Sequence, residues 1–256
     1  MGRAASTVLS LPRIISIIVL LLAWLVLAWF FPPTIVPKPV EVLRVVWENI
    51  LAGDAFYHVG KTILRVIVGM ALAMAFGTLI GVAMGLSKRG EEFFETWVMV
   101  GLTIPAVVYG IIFLLWFGLN DVAAILAIGV TAFPSVAINL WQGVKAIDMK
   151  LVRMAQAFRV PRERVIRKVI LPQTVPYLLA ATRYALGISW KICTTIELIG
   201  MSSGVGYQLH YWFGLFNMTQ VFAWTVTFIL VLFVIEYLFI NPFERHATAW
   251  RPAVQV

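Results

Sequence analysis

Residues 141–176 read WQGVKAIDMKLVRMAQAFRVPRERVIRKVILPQTVP. Within this stretch Leu151, Met154, Ala155 and Phe158 recur at i, i+3, i+4 and i+7, one apolar stripe along a helix. A second stripe, Val165, Ile166, Val169 and Ile170, is surrounded by Arg162, Arg164, Arg167 and Lys168. Between them stands Arg159-Val160-Pro161. Proline suits the first position of a helix, where its missing N–H has no partner anyway, and it pushes the preceding Val160 away from helical geometry. The spacing predicts two short amphipathic helices with a bend at Arg159-Val160, ended by Pro172 and Pro176. Their apolar stripes need cover. A membrane surface attracting the basic flank and a groove on a partner protein both meet that need.

On either side of this loop the chain turns apolar. Of its 256 residues 61% are hydrophobic and 12% charged, with a mean hydropathy of +0.93. A soluble domain has about 45–50% apolar and about 25% charged residues, and a water-soluble core of this size cannot hide the excess. Disulfide scaffolds, disordered tails and ordinary cytosolic enzymes are excluded. A bilayer-crossing helix needs about 20 predominantly apolar residues, and six stretches qualify: Ile14–Phe31, Ile63–Leu86, Trp97–Phe117, Val122–Leu140, Tyr177–Ile199 and Val221–Ile240. The first follows Arg3 and Arg13 as a signal peptide would, but it is longer than a usual signal core and ends in Phe30-Phe31-Pro32-Pro33 without a small-residue cleavage site. It reads as a retained anchor.

Six spans put both termini on one side, together with residues 87–96, 141–176 and the tail after Asn241. That side holds 14 of the 20 Lys and Arg: Arg3, Arg13, Lys88, Arg89, Lys145, Lys150, Arg153, Arg159, Arg162, Arg164, Arg167, Lys168, Arg245 and Arg251. The opposite loops hold Lys38, Arg44 and Lys61, and the spans hold Arg65, Arg183 and Lys191. This asymmetry assigns both termini to the cytoplasm, so the net charge of +8 is topology and not a sign of nucleic acid. The expected organisation is a cytoplasmic N-terminus and first span (1–31), an external connection with an interfacial helix (32–62), spans two to four (63–140), the cytoplasmic loop (141–176), spans five and six (177–240) and a cytoplasmic tail (241–256). In the external connection Val40, Leu43, Val46, Trp47 and Ile50 are spaced for one face of a helix over Val40–Leu51, lying on the membrane or against the other spans. In the second span Ala73, Gly77, Gly81 and Gly85, four residues apart, invite close approach of another helix.

Arg183, Lys191, Glu197 and Glu236 fall inside spans, where an ionisable group costs about 2.5–3.5 kcal/mol at the helix centre. Lys191 and Glu197 stand about 9 Å apart along a helix and on different faces. Two readings stay open: buried ion pairs with other helices that hold the bundle together, or a path on which Lys191, beside Trp190, attracts an anion.

Other chemistry is weaker. Gly60-Lys61-Thr62 echoes the end of a P-loop, but Ala55 stands where the first glycine belongs and no strand precedes it. Gly200-Met201-Ser202-Ser203-Gly204, with His210 nearby, fits Gly-x-Ser-x-Gly, yet it ends a membrane helix instead of joining a strand to a helix. His58, His210 and His246 are scattered, and the single cysteine, Cys193, allows no intrachain disulfide or cysteine metal cluster. Pro105 and Pro134 could break the third and fourth spans, as in ion-gradient-driven carriers, but such a carrier leaves the amphipathic loop without a role.

The segment from Arg153 to Trp190, with Val169-Ile170-Leu171-Pro172 closing its first part, resembles the signature loop of permease subunits of bacterial ABC importers. Arg183-Tyr184-Ala185-Leu186-Gly187, Trp190, Glu197, Ser202-Ser203-Gly204-Val205-Gly206-Tyr207, the Gly85–Arg89 turn and Asn241-Pro242-Phe243-Glu244-Arg245 resemble the nitrate/sulfonate/taurine branch in particular. The resemblance implies an all-α membrane protein with the type I importer permease fold, set in the bacterial inner membrane as a homodimer. It also implies two cytoplasmic ATPases that use ATP and Mg, a periplasmic substrate-binding protein, and no cofactor in this chain. It makes Arg153, Met154, Ala155, Ala157, Phe158 and Arg159 the ATPase-coupling residues. Arg183, Trp190, Lys191 and Glu197 are the candidates for the translocation path of a small anion, an organic sulfonate first. The family's signature Glu falls on Arg153, its first Ala on Met154 and its Gly on Arg159. Reversed charge at Arg153 asks for a complementary ATPase surface or else weakens coupling. Val160-Pro161 is expected to set the bend that the family's Gly allows.

Overall fold

In the computed structural model, which describes residues 11–240 and residue 242, every regular element among the described residues is a helix. The elements are α1 (Leu11–Phe30), α2 (Pro39–Leu51), α3 (Asp54–Leu86), α4 (Lys88–Thr103), α5 (Ala106–Phe117), α6 (Asp121–Lys145), α7 (Met149–Ala157), α8 (Arg162–Val165), α9 (Leu171–Gly200), α10 (Val205–Gly214) and α11 (Met218–Ile235). Two π turns, Ile166–Ile170 and Glu236–Ile240, extend the helical path before α9 and after α11. The readings placed on residues 1–10 and on the 241–256 tail lie outside the described residues, Pro242 excepted.

α6 is the centre of the bundle. Its small residues Ala123, Ala124, Ala127, Ala132 and Ala137 are fully buried, and α3 and α9 pack against it. The close approach of α3 comes from the predicted small-residue row. A Cβ on Gly77 would lie 2.5 Å from Val136 Cβ, and one on Gly85 would meet Val144. Only hydrogen in place of a side chain permits backbones this near. Around the α3–α6 seam, Val66, Ile128, Trp190, Cys193 and Ile196 form the largest buried cluster.

By length and composition α3, α6 and the helix continuing to Leu238 can each cross a membrane, and α4 with α5 makes a fourth crossing if counted as one bent span. The apolar part of α1, Ile14–Phe30, is shorter. The stretch read as a span over Trp97–Phe117 is bent by 94° between α4 and α5, at Pro105, one of the two prolines singled out as possible breaks. Ile104, held extended by the proline that follows it, and Pro105, which lacks an N–H, explain the break. Pro134 does not break α6. Its ring fills the gap left by Gly101 of α4, where a Cβ would come within 2.7 Å of Pro134 Cγ.

Two further readings are corrected. Helix α2 exists where predicted and takes the second of its two expected placements, against another helix; the face is what differs, since Val42 and Val46 pack on Ala223 of α11 while Val40, Leu43 and Trp47 of the predicted stripe point outward. Pro172 and Pro176 do not end the helical path, which runs from Arg162 to Gly200. Pro172 occupies the first turn of α9, where a missing N–H is tolerated, and the wider π turn before it makes room for its ring.

Candidate functional site

The basic connection between α6 and α9 folds as a small helical unit. Asp148 caps α7, its Oδ1 accepting from Lys150 N at 2.8 Å, and its own N–H donates to Gln173 Oε1 at 2.7 Å, which fastens the start of α7 to α9. Val152, Ala155 and Val165 bury one another, with Val160 and Val169 packed alongside. The bend is a Schellman motif: Val160 N–H reaches Ala155 O at 3.0 Å, Arg159 N–H reaches Gln156 O at 2.9 Å, and the residue between the helices is left-handed. That residue is Arg159, at φ 53°. The expectation that Val160-Pro161 replaces the glycine's role is therefore corrected, since the left-handed position stays where a glycine is easiest and an arginine adopts it.

The outward face carries Leu151, Met154 and Phe158, the last 78% exposed, flanked by exposed Arg153, Ala157 and Arg159. Ala155, grouped by its spacing with this stripe, faces inward, because only a small side chain lets α7 settle on Val165. Phe158 is thus uncovered in the single chain, on a face that also presents Arg153 and Arg159.

The intramembrane charges assemble at the other end of α9. Arg65 of α3 is 1% exposed and uses its whole guanidinium. Its Nη1 donates to Glu197 Oε1 and to Ser203 O, both at 2.7 Å; Nη2 donates to Asp121 Oδ1 at 2.6 Å and Ser203 Oγ at 2.8 Å; Nε donates to Asp121 Oδ1 at 2.9 Å. Glu197, equally buried, also accepts from Thr62 Oγ1 and from Gly206 N–H at 2.9 Å. Lys61 Nζ closes the group on Asp121 Oδ2 at 3.2 Å. Two cations and two carboxylates thus balance while joining α3, α6, α9 and α10. Gly204, at φ 111°, lies so near Glu197 that a side chain there would overlap the carboxylate.

The four path candidates are dispersed. Glu197 belongs to the cluster just described. Trp190 is buried against Phe228, ring centroids 5.4 Å apart. Arg183 Nη2 lies 3.2 Å from Glu236 Oε1 on the continuation of α11. Lys191 is exposed, with no carboxylate within 4.0 Å of its ammonium among the described residues. Asp121 lies one residue before the apolar stretch Val122–Leu140, and no local pattern marks it or Glu197 as a partner of Arg65.

Gly60-Lys61-Thr62 lies inside α3. Ser202 sits in the turn between α9 and α10, exposed, and no hydrogen bond joins it to His210. Among the described residues no three His, Cys, Asp or Glu side chains are grouped to hold a metal.

Residues 73–243 match the family described as the binding-protein-dependent transport system inner membrane component. The chain is 34% identical over 218 residues to the aliphatic sulfonates transport permease SsuC of Bacillus subtilis, covering 85% of this chain and 79% of that one. It is 27% identical to the taurine transport permease TauC of Escherichia coli, over 94% and 90% of the two chains. To the nitrate import permease NrtB of Synechococcus elongatus it is 26% identical, over 77% and 74%. A chain of the inward-facing MetNI methionine ABC transporter shares the fold, with a TM-score of 0.65 at 18% identity, covering 74% of this chain and 94% of that one. The relatives are permeases, the non-catalytic transport components of such systems. The chain belongs to the binding-protein-dependent transport family as a multi-pass inner membrane permease component of an ABC importer, in the sulfonate/taurine/nitrate branch.

Proposed function

We propose that this chain works as a pair of copies in an ATP-driven importer and carries a small anionic solute, an organic sulfonate of the taurine kind before nitrate, bicarbonate or a vitamin precursor. Six crossings, α1, α3, the bent α4–α5 pair, α6, α9 and α11, place both termini in the cytoplasm, in line with the charge asymmetry of the loops. A periplasmic binding protein delivers the solute. A cytoplasmic ATPase, using ATP and Mg, receives α7.

The observation that carries this reading is the uncovered Leu151–Met154–Phe158 face on a unit tied through Asp148 and Gln173 to the 30-residue helix α9. Covering the Phe158 ring contributes about 1.5–3 kcal/mol. Movement of α7 passes through the Asp148–Gln173 bond and the α8–α9 path to the Glu197–Arg65 cluster, where α3, α6 and α10 are joined. Closure of the ATPases on ATP then tilts the external ends of these helices together, turning inward access into outward access. The basic residues around Phe158, Arg153 and Arg159 foremost, ask for an acidic rim on the ATPase groove. Along the path, Lys191 and Arg183 face the solute, while Trp190 and Glu197 brace α9 from behind.

Purification of the chain in mild detergent from its host, with mass identification of bound proteins, tests this. The expected result is a soluble ATPase that is retained by the unaltered chain and lost from Phe158→Asp. An unaltered chain that retains no ATPase in detergent or nanodisc would contradict the proposal.

A further inference from the structure

Of the charged side chains at Lys61, Arg65, Asp121, Arg183, Lys191, Glu197 and Glu236, on α3, α6, α9 and the continuation of α11, all but one have an ion-pair partner. Arg65 and Lys61 are matched by Asp121 and Glu197, and Arg183 by Glu236. Lys191 remains, nine residues short of the end of α9, with no carboxylate within salt-bridge distance among the described residues. Its length does not bring it to a boundary as easily as a lysine at a helix end. Desolvated in lipid, its ammonium is strongly disfavoured, so the face that holds it is not a lipid face.

The composition of that face agrees. Ala180, Tyr184, Gly187, Lys191, Thr195 and Leu198 follow one another at three- and four-residue steps, form a single stripe, and are all exposed in the isolated chain. The exposed face of α11 and its continuation differs: Ile229, Leu230, Phe233, Val234 and Leu238 suit lipid tails. Gly187, one turn from Lys191, has nothing within 4 Å of where a Cβ would stand, so the stripe is open at that point in the single chain.

We infer that Tyr184, Gly187, Lys191 and Thr195 of α9, faced by the same stripe of a second copy, form an intramembrane station for a small oxyanion of the sulfonate class. Two ammonium groups across a two-fold axis suit a group with several equivalent oxygens, and the hydroxyls of Tyr184 and Thr195 supply further donors. A sulfonate keeps its charge throughout the crossing, so the station compensates that charge where water is scarce. The site is incomplete in one chain, because a single lysine would leave half the anion against lipid. This inference rests on the importer reading and deepens it.

The test places a thiol beside Lys191 and needs no identified substrate. In Gly187→Cys the new side chain enters open space, and the native Cys193, fully buried, sets the background. The probes are two water-soluble methanethiosulfonates of similar size, one ending in a sulfonate and one in a trimethylammonium. The expected result is labelling by both, with the anionic reagent favoured. Adding Lys191→Gln, which removes the lysine from both copies, lowers the anionic-to-cationic rate ratio at least about tenfold, the effect in water of the nearer charge alone about 6 Å away; Lys191→Arg restores it. Bifunctional thiosulfonates of graded length are expected to join Gly187→Cys thiols of two copies.

Absence of labelling by either reagent, or a ratio indifferent to Lys191→Gln, overturns the station. Labelling without cross-linking at any spacer length overturns the second copy's share. Each preparation is assayed for bound ATPase. An indifferent ratio with ATPase present removes the station alone, whereas a clear anion preference in a chain that never holds an ATPase removes the importer reading.

Discussion

Arg159 sits at φ 53°, a conformation that costs an ordinary L-residue about 1–2 kcal/mol. Glycine adopts it at no steric cost, although its freer unfolded chain returns about 0.5–1 kcal/mol of that gain. Both Arg159→Gly and Arg159→Ala remove the guanidinium, so comparing them isolates the backbone. At most helical positions Gly is worse than Ala by about 0.5–1 kcal/mol. Here the order should invert, with Gly favoured by about 0.5–1 kcal/mol, a two- to fivefold change in the local opening constant. Hydrogen exchange of the amides of Arg159 and Val160, which close the Schellman motif on Gln156 and Ala155, reads this directly. Slower exchange in the Gly variant than in the Ala variant is the expected result. Equal exchange, or slower exchange with Ala, would refute the claim that this position carries the turn.

Three further outcomes follow from the packing. Gly77→Leu drives a side chain into Val136 and the Phe133 carbonyl and should destabilise the bundle by at least the ~1–3 kcal/mol of ordinary overpacking, lowering the melting temperature in detergent, whereas Gly60→Ala, in open space, should be neutral or slightly stabilising. Arg65→Met leaves Glu197 buried without its cation and should cost about 3–5 kcal/mol, while Arg65→Met with Glu197→Met recovers part of the loss, measured as a double-mutant cycle of thermal stability. Ser202→Ala should leave solute uptake unchanged, since Ser202 has no partner in His210; a large loss of uptake would contradict the reading of the Gly-x-Ser-x-Gly match as a turn without chemistry.

The parts legible in the sequence were those written in local periodicity. The α7 stripe, the bend at Arg159-Val160 and the four-residue spacing of Gly77, Gly81 and Gly85 each depend on neighbours within one helix, and each reappears in the structure. Faces were less legible than helices. Ala155 and Val46 are apolar whichever way they point, so spacing alone put Ala155 with Phe158 and joined Val46 to Trp47. The partner of Glu197 is 132 residues away in Arg65, and nothing local marks that pairing. Pro172 looked like a stop because proline usually is one; the π turn that accommodates it has no sequence signature.

Uptake of a labelled organic sulfonate, with taurine as the first solute, into vesicles that hold the complex tests the central claim most directly. The vesicles contain ATP and receive the binding protein from outside. Uptake should require ATP and the binding protein, survive a protonophore, and disappear in Phe158→Asp. Uptake that persists without ATP and collapses when the ion gradient is discharged would contradict the account.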